Sequence, residues 1–352
     1  VNAAGAAPEG APALRAIVFD GRGGVDLQVL PPPPVGPGEV RVRTRMTGVS
    51  AGTETLHLRT SRDGVALIPG YQNVGLVAER GPGASGPGVG DRVYTHHWRG
   101  GRPPAAPVVG AVRLGSGAQA SERVGPADSA DLIPLPDWIP DLPAAFLSVA
   151  AIGLHTARRG GVRPGARVLV TGLGPIGLHA VQGARSLGGT VYGLDRVPFR
   201  LDTAGAVGCE GTFDARGETV WEEVTRQGPY DVVIETTGAN ALLDPILRVV
   251  AGDRTPEREM ARQGVVVMVG LRARAEYTFG LAHPKEVILT HTSHHTRRDL
   301  DDVLAHWRRG TWLIEPLVTH RLRPGEAPAF YRRLSAGADD ALSVAIDWTG
   351  DA

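Results

Sequence analysis

The sequence predicts an α/β protein in which a doubly wound parallel sheet is joined to a β-rich, partly barrel-shaped domain. Three observations predict it. Residues 167–195 read as strand, glycine-rich turn, helix, strand and terminal acid in one unit. From there to about residue 309, helical and strand patterns alternate. Ahead of them, to about residue 136, lies a series of short β-branched runs punctuated by glycine and proline. At 352 residues, two domains are the expectation.

Taken in order, residues 1–12 are small and rich in alanine, glycine and proline, a terminus with little to bury. Residues 13–19 and 25–30 read as strands joined by a DGRGG turn, and 40–47 alternates polar and apolar as a half-buried strand does. Further strand-like runs follow to about residue 136. Residues 142–161 read as one unbroken apolar helix. The run 167–171 is a buried strand, and 176–187 carries apolar residues at helical spacing that end at Gly188-Gly189. Strands are expected at 190–194, 230–236, 265–269 and 287–292, with helices at 200–208, 241–250 and 299–309. The last segment reads as strand, helix and strand. The expected division is a β-rich domain over 13–150, a doubly wound domain over 151–286, and a return segment over 287–352 that completes both.

Gly172, Leu173, Gly174, Pro175, Ile176 and Gly177 form a G-x-G-x-x-G turn between strand and helix. The first glycine permits the tight turn, the second lets backbone approach a pyrophosphate, and the third lets helix pack close to strand. Unpaired N–H groups at the helix start attract phosphate. Asp195, 18 residues past the third glycine, is placed to accept from ribose hydroxyls. Its negative charge disfavours a 2′-phosphate and so favours NAD. Arg196 and Arg200 stand beside it and keep NADP open as the alternative. A P-loop is excluded because no lysine follows the turn. A methyltransferase shares the glycine turn and the acid, but not the order of elements that follows.

Composition excludes other classes. Net charge is zero, which gives no reason to expect nucleic acid or an anionic membrane as partner. Lys285 is the one lysine, and the chain holds 48 glycines and 28 prolines, a bias of the kind a GC-rich coding sequence imposes. With one cysteine, Cys209, neither a disulfide framework nor a thiolate-built structural zinc site can form. No run approaches 18 apolar residues, and no leader pattern opens the chain, so a soluble cytoplasmic protein is the expectation.

The ordered series GPGEV (36–40), TGVS (47–50), PGYQNVG (69–75), GDRV (90–93), the 172–177 turn, DVVIETTG (231–238), VVMVG (266–270) and LVTHRL (317–322) resembles the medium-chain dehydrogenase/reductase family. That resemblance implies a GroES-like substrate domain, a small-molecule substrate, a homodimer and a nicotinamide cofactor. It adds Thr237, Val269, Gly270 and Leu271 to the cofactor-binding set. The family's catalytic zinc is held by cysteine, histidine, glutamate and a later cysteine or glutamate. The matching positions here are Ser50, Tyr71, Gln72 and Ser148. Hydroxyls and an amide are poor partners for zinc, so the resemblance points to a zinc-independent branch with no metal ligands. Residues 49–54, VSAGTE, resemble the S-x-G-T-E signature of the bacteriochlorophyllide dehydrogenase subgroup. The implied chemistry is interconversion of a secondary alcohol and a ketone on a biosynthetic metabolite.

Without zinc, a side chain must polarise the carbonyl or take the alcohol proton. Tyr71 is the first candidate, because it occupies a ligand slot, although a phenol acting as base needs a lowered pKa. Filling the vacated hole is its structural alternative. Thr53 and Glu54 sit in a loop that carries a relay hydroxyl in relatives, and Glu54 is either a general base or an acid tied to backbone N–H groups. The histidines cluster at His96-His97 and at His291, His294 and His295. Adjacent residues on a strand face opposite ways, so neither pair is expected to chelate. His97 and His291 are kept as acid/base candidates with pKa near neutrality. His155 and Cys209 read as structural. Two other readings stay open: reduction of an activated C=C or C=N bond, and a dinucleotide-binding protein without catalysis.

Overall fold

A computed structural model describes residues 13–61, 63–98, 108–109, 112–113, 117–252 and 263–350. The chain divides into two compact units, Leu147–Leu317 and the combination of Val1–Phe146 with Val318–Ala352.

The unit Leu147–Leu317 is built on a six-stranded parallel sheet. Its order is Gly211–Asp214, Thr190–Asp195, Arg167–Thr171, Val232–Glu235, Val265–Met268 and Ile288–His291. All its pairings are parallel. The order reverses direction at Arg167–Thr171, and in such sheets ligands bind outside the carboxyl ends of the strands at that point. The inner strands Arg167–Thr171 and Val232–Glu235 are buried on both faces, which is why they read as continuous apolar runs rather than alternating ones. Leu169, Val233 and Val266 pack with Ile246, Leu247 and Tyr230 into one core.

In the other unit, Glu39–Val49 is the central strand, paired antiparallel with Gln72–Arg80, Glu122–Pro126 and Ser343–Asp347. The return strand Ser343–Asp347 thus lies inside this sheet, with Ile346 opposite Thr47. A second sheet carries Leu14–Phe19 and Val25–Leu30. Helix Ala327–Ser335 supplies Phe330, Tyr331 and Leu334 to a core with Ile17, Phe19 and Leu58.

Several elements differ from expectation. The stretch 142–161 is two helices, Asp141–Ala144 and Leu147–Arg159, with Ala145 and Phe146 between them. Residues 53 and 54 lie on a helix, Ala51–Thr60, not in a loop. Gly52, Thr53 and Thr55 are weak helix formers, so local propensity concealed it. The helix is held instead by burial of Leu58 and by the Glu54 carboxylate, which accepts from the Ser50 N–H at 2.6 Å. Segment 287–317, part of the return segment expected to complete both domains, lies within the unit Leu147–Leu317. It supplies the sixth strand, and its helix Arg297–Arg308 is tied to helix Leu147–Arg159 through Arg158, which reaches Asp299 at 2.6 Å and Asp302 at 2.5 Å.

Candidate active site

The 172–177 turn has its geometry dictated by its neighbours. Gly172 has φ +86°, and a Cβ there would meet Thr236 Oγ1 at 2.6 Å. Gly177 presses against the same loop: a Cβ would lie 1.9 Å from the Gly172 carbonyl oxygen. Gly174 differs from both. Nothing lies within 4 Å of its would-be Cβ, so the protein itself has no need of glycine there. What that open place fits is a group brought against the backbone, at the start of helix Pro175–Ser186 with Gly174 as its N-cap. Pro175 sits where a missing N–H is not felt.

Asp195 ends its strand with a buried carboxylate. One oxygen accepts from the Leu173 N–H at 2.6 Å and the other from the Val197 N–H at 2.9 Å. Arg200 stands 3.9 Å away, and Arg196 is exposed. The acid therefore braces the glycine turn. The Leu173 side chain is fully buried against Gly193.

Two groups that sequence reading missed hold the far side of this cradle. Glu235, fully buried at the end of its strand, accepts from the N–H groups of Thr237 and Gly238 at 2.7 and 3.0 Å. It also takes the Thr237 hydroxyl at 2.5 Å and pairs with Arg272. Thr236 donates its hydroxyl toward the carbonyls of Thr171 and Gly172, at 3.0 and 2.7 Å. Thr237 is exposed, Val269 and Gly270 are half-buried, and Leu271 is 60% exposed, all at the carboxyl ends of the strands. Cys209 is inert, since burial pushes its thiol up to about 12.

Of the catalytic candidates, Tyr71 and His97 are brought together. The Tyr71 ring stacks on His97 at 4.8 Å, with His96 edge-on at 5.7 Å. The Tyr71 hydroxyl lies 3.1 Å from Ser50 Oγ, so two of the four positions that carry metal ligands in zinc relatives form a hydroxyl pair. Burial raises the Tyr71 phenol to about 12, which makes it a hydrogen-bond donor at neutral pH and not a base. Gln72 is buried beside Tyr94.

The expectation that His96 and His97 face apart is corrected. His96 ends its strand, and His97 adopts φ +50° with its N–H on the Tyr71 carbonyl at 2.8 Å. That left-handed step turns both rings to one side, with centroids 4.5 Å apart. A strained non-glycine backbone of this kind persists only where its surroundings hold it.

Glu54 is 1% exposed. Besides Ser50, it accepts from Tyr331 at 2.5 Å and from Gln119 at 3.4 Å, so it is tied into the fold on every side. Thr53 is half-buried and His57 exposed on the same helix. His291 is exposed at the end of the sixth strand. Ser148, the fourth vacated ligand position, is fully buried and bonded to His295 at 3.1 Å.

With this geometry in place, similarity to known proteins becomes informative. The family model described as a zinc-binding dehydrogenase matches residues 175–306. One described as an alcohol dehydrogenase GroES-like domain matches residues 36–137. An L-threonine 3-dehydrogenase of Stenotrophomonas maltophilia is 32% identical over 237 residues, 61% of this chain and 67% of that protein. A sorbitol dehydrogenase of Halalkalibacterium halodurans is 27% identical over 93% of this chain and 96% of its own. The solved alcohol dehydrogenase of Thermus sp. ATN1 superposes with a TM-score of 0.78 at 26% identity, covering 95% of this chain and 99% of that one. Two matching domain models in order, a relative above 30% identity and a full-length structural likeness agree: this chain belongs to the medium-chain dehydrogenase/reductase family of oxidoreductases.

Proposed function

We propose that this protein is a nicotinamide-dependent dehydrogenase that interconverts a secondary alcohol and a ketone on a biosynthetic metabolite, without zinc at the family's metal position. The observation that carries the cofactor is Gly174, whose open Cβ position at a helix start suits a diphosphate and serves nothing else in the fold. Once bound, the cofactor supplies hydride transfer. The protein's part is to orient the reacting groups and to handle the proton. Tyr71, held protonated by burial, offers its O–H to the oxygen on which negative charge develops, with Ser50 as its resting partner. Support for zinc independence is chemical: Ser50, Tyr71, Gln72 and Ser148 offer neither thiolate, imidazole nor carboxylate.

Metal analysis joined to activity tests this. The purified protein is expected to hold substoichiometric zinc and to oxidise a member of a secondary-alcohol panel after dialysis against a chelator. One retained zinc per chain with activity that dialysis abolishes would overturn the metal reading. Activity confined to enones or iminium compounds would shift the reaction to C=C or C=N reduction.

Asp195 leads us to assign NAD as the preferred cofactor. Fluorescence titration is expected to give NADH a lower Kd than NADPH. Because Asp195 also holds the Leu173 N–H, Asp195→Ala should weaken both nucleotides by about tenfold or more, rather than exchange one preference for the other. Tighter NADPH binding by the wild type would reverse the assignment.

A homodimer is proposed through the strand Ile288–His291. Among the described residues it pairs on one side only, and Ile288 and the nearby Phe279 are 43% and 66% exposed. Unpaired strand edges with apolar neighbours invite pairing with a second copy. Ile288→Lys should convert a dimer to a monomer in light-scattering chromatography. An unchanged mass in the variant would place the interface elsewhere.

A further inference from the structure

A serine–histidine pair within the unit Leu147–Leu317 has been given no part in the reaction so far. Ser148 is in the first turn of helix Leu147–Arg159, fully buried. His295 is half-buried, four residues past the end of the sixth parallel strand and so outside the carboxyl ends of the sheet, where ligands bind. His295 Nε2 lies 3.1 Å from Ser148 Oγ, and its Nδ1 lies 3.1 Å from the Thr296 carbonyl oxygen.

A carbonyl can only accept, so Nδ1 carries a proton. In the neutral ring Nε2 is then the acceptor, and Ser148 donates to it. In the imidazolium both nitrogens donate, and the Ser148 hydroxyl turns round to accept. His295 is thus hydrogen-bonded in either charge state, as a group that takes up and releases a proton must be. Its position is fixed by the next residue: Thr296 caps helix Arg297–Arg308, its Oγ1 accepting from the Asp299 N–H at 3.2 Å and Asp299 returning a bond to the Thr296 N–H.

We infer that Ser148 and His295 form the proton relay of the alcohol/ketone reaction, an inference that rests on the function proposed above. In oxidation the carbinol C–H bond breaks and its electron pair leaves as hydride to the nicotinamide. The C=O π bond forms, and the hydroxyl proton passes to Ser148 Oγ as the serine's own proton passes to His295 Nε2. The imidazolium then releases it to water. Burial lowers the His295 pKa, so the ring is neutral and able to accept at neutral pH. Among the described residues, the titratable groups that act on it include Asp299, His155 and His294, and Arg158 is paired to Asp299. Asp299 opposes the lowering, and the two histidines add to it.

The experiment is the pH profile of kcat/KM for His295→Gln and Ser148→Ala, with NADH affinity measured in parallel. Glutamine keeps a side-chain hydrogen bond to Ser148 but cannot titrate. The wild-type profile is expected to rise through an acid limb below neutrality. His295→Gln should lose that limb and about 100-fold in rate, with its NADH Kd within twofold of wild type. Ser148→Ala should keep the limb at a reduced rate. A His295→Gln enzyme with wild-type rate and an unchanged acid limb would make the pair a mere clamp between helices and overturn the relay. Wild type that binds NADH yet transfers hydride from no secondary alcohol would overturn the underlying function and the relay with it.

Discussion

Gly174→Ala should lose nucleotide affinity and leave the fold intact, whereas Gly177→Ala should damage both. The contrast follows from what each methyl would meet. At Gly174 it enters space that no protein atom occupies within 4 Å, so the unliganded protein has nothing to resist it. It stands instead where we propose that the diphosphate approaches, and NADH affinity should then fall by about 100-fold, ~2.7 kcal/mol. At Gly177 the methyl would lie 1.9 Å from a backbone oxygen that cannot rotate away. Helix Pro175–Ser186 must back off its strand, and overpacking of this kind costs ~1–3 kcal/mol. In a unit of this size that lowers Tm by roughly 2–10 °C. Thermal melts without nucleotide and NADH titrations on both variants separate the two outcomes. Equal losses of stability, or a Gly174→Ala protein that binds as wild type does, would remove the open glycine as evidence for the cofactor.

The strand-turn-helix geometry around those glycines was legible because it lies within one short stretch of chain. The same holds for Asp195, although its double bond to the Leu173 and Val197 N–H groups shows only in three dimensions. The six-stranded sheet was legible strand by strand, apart from Gly211–Asp214 at its edge, and helix Val220–Gln227 also went unread; both are short segments of four and eight residues. Pairings across long separations could not be read. Glu235 meets Arg272 across 37 residues and Ser148 meets His295 across 147, and no local pattern announces such partners. Glu54 shows a further limit. Its candidacy as an acid/base group came from a loop that is a helix, and its burial depends on Tyr331, 277 residues away in the return segment.

That burial makes Glu54 a source of pH-dependent stability in the β-rich unit between acid and neutral pH. Removal from water raises its pKa from 4.5 to about 7, against the hydrogen bonds from Tyr331, Ser50 and Gln119, which favour the charged form. Between those two values the folded protein holds a proton that the unfolded chain has released. Stability from this group is therefore fully present below about pH 4.5 and is lost as pH rises through 7. The whole step is about 3 kcal/mol at 1.36 kcal/mol per pH unit. Glu54→Gln cannot titrate, so urea denaturation from pH 4.5 to 8 should give two stability curves that diverge by that amount across the window, with the wild type falling relative to the variant. Tyr331→Phe removes a donor that favours the carboxylate and should carry the wild-type decline to higher pH. Parallel curves for wild type and Glu54→Gln would mean that the carboxyl titrates alike in folded and unfolded chains. The outcome bears on the site, because the group that titrates holds the Ser50 N–H, and Ser50 in turn holds the Tyr71 hydroxyl. A carboxylate that gains its proton near neutrality would loosen Ser50 over the same pH range in which the role we propose for Tyr71 needs its hydroxyl aimed. The Tyr71→Phe enzyme, lacking that hydroxyl, should then show a flatter activity profile than wild type between pH 6 and 8.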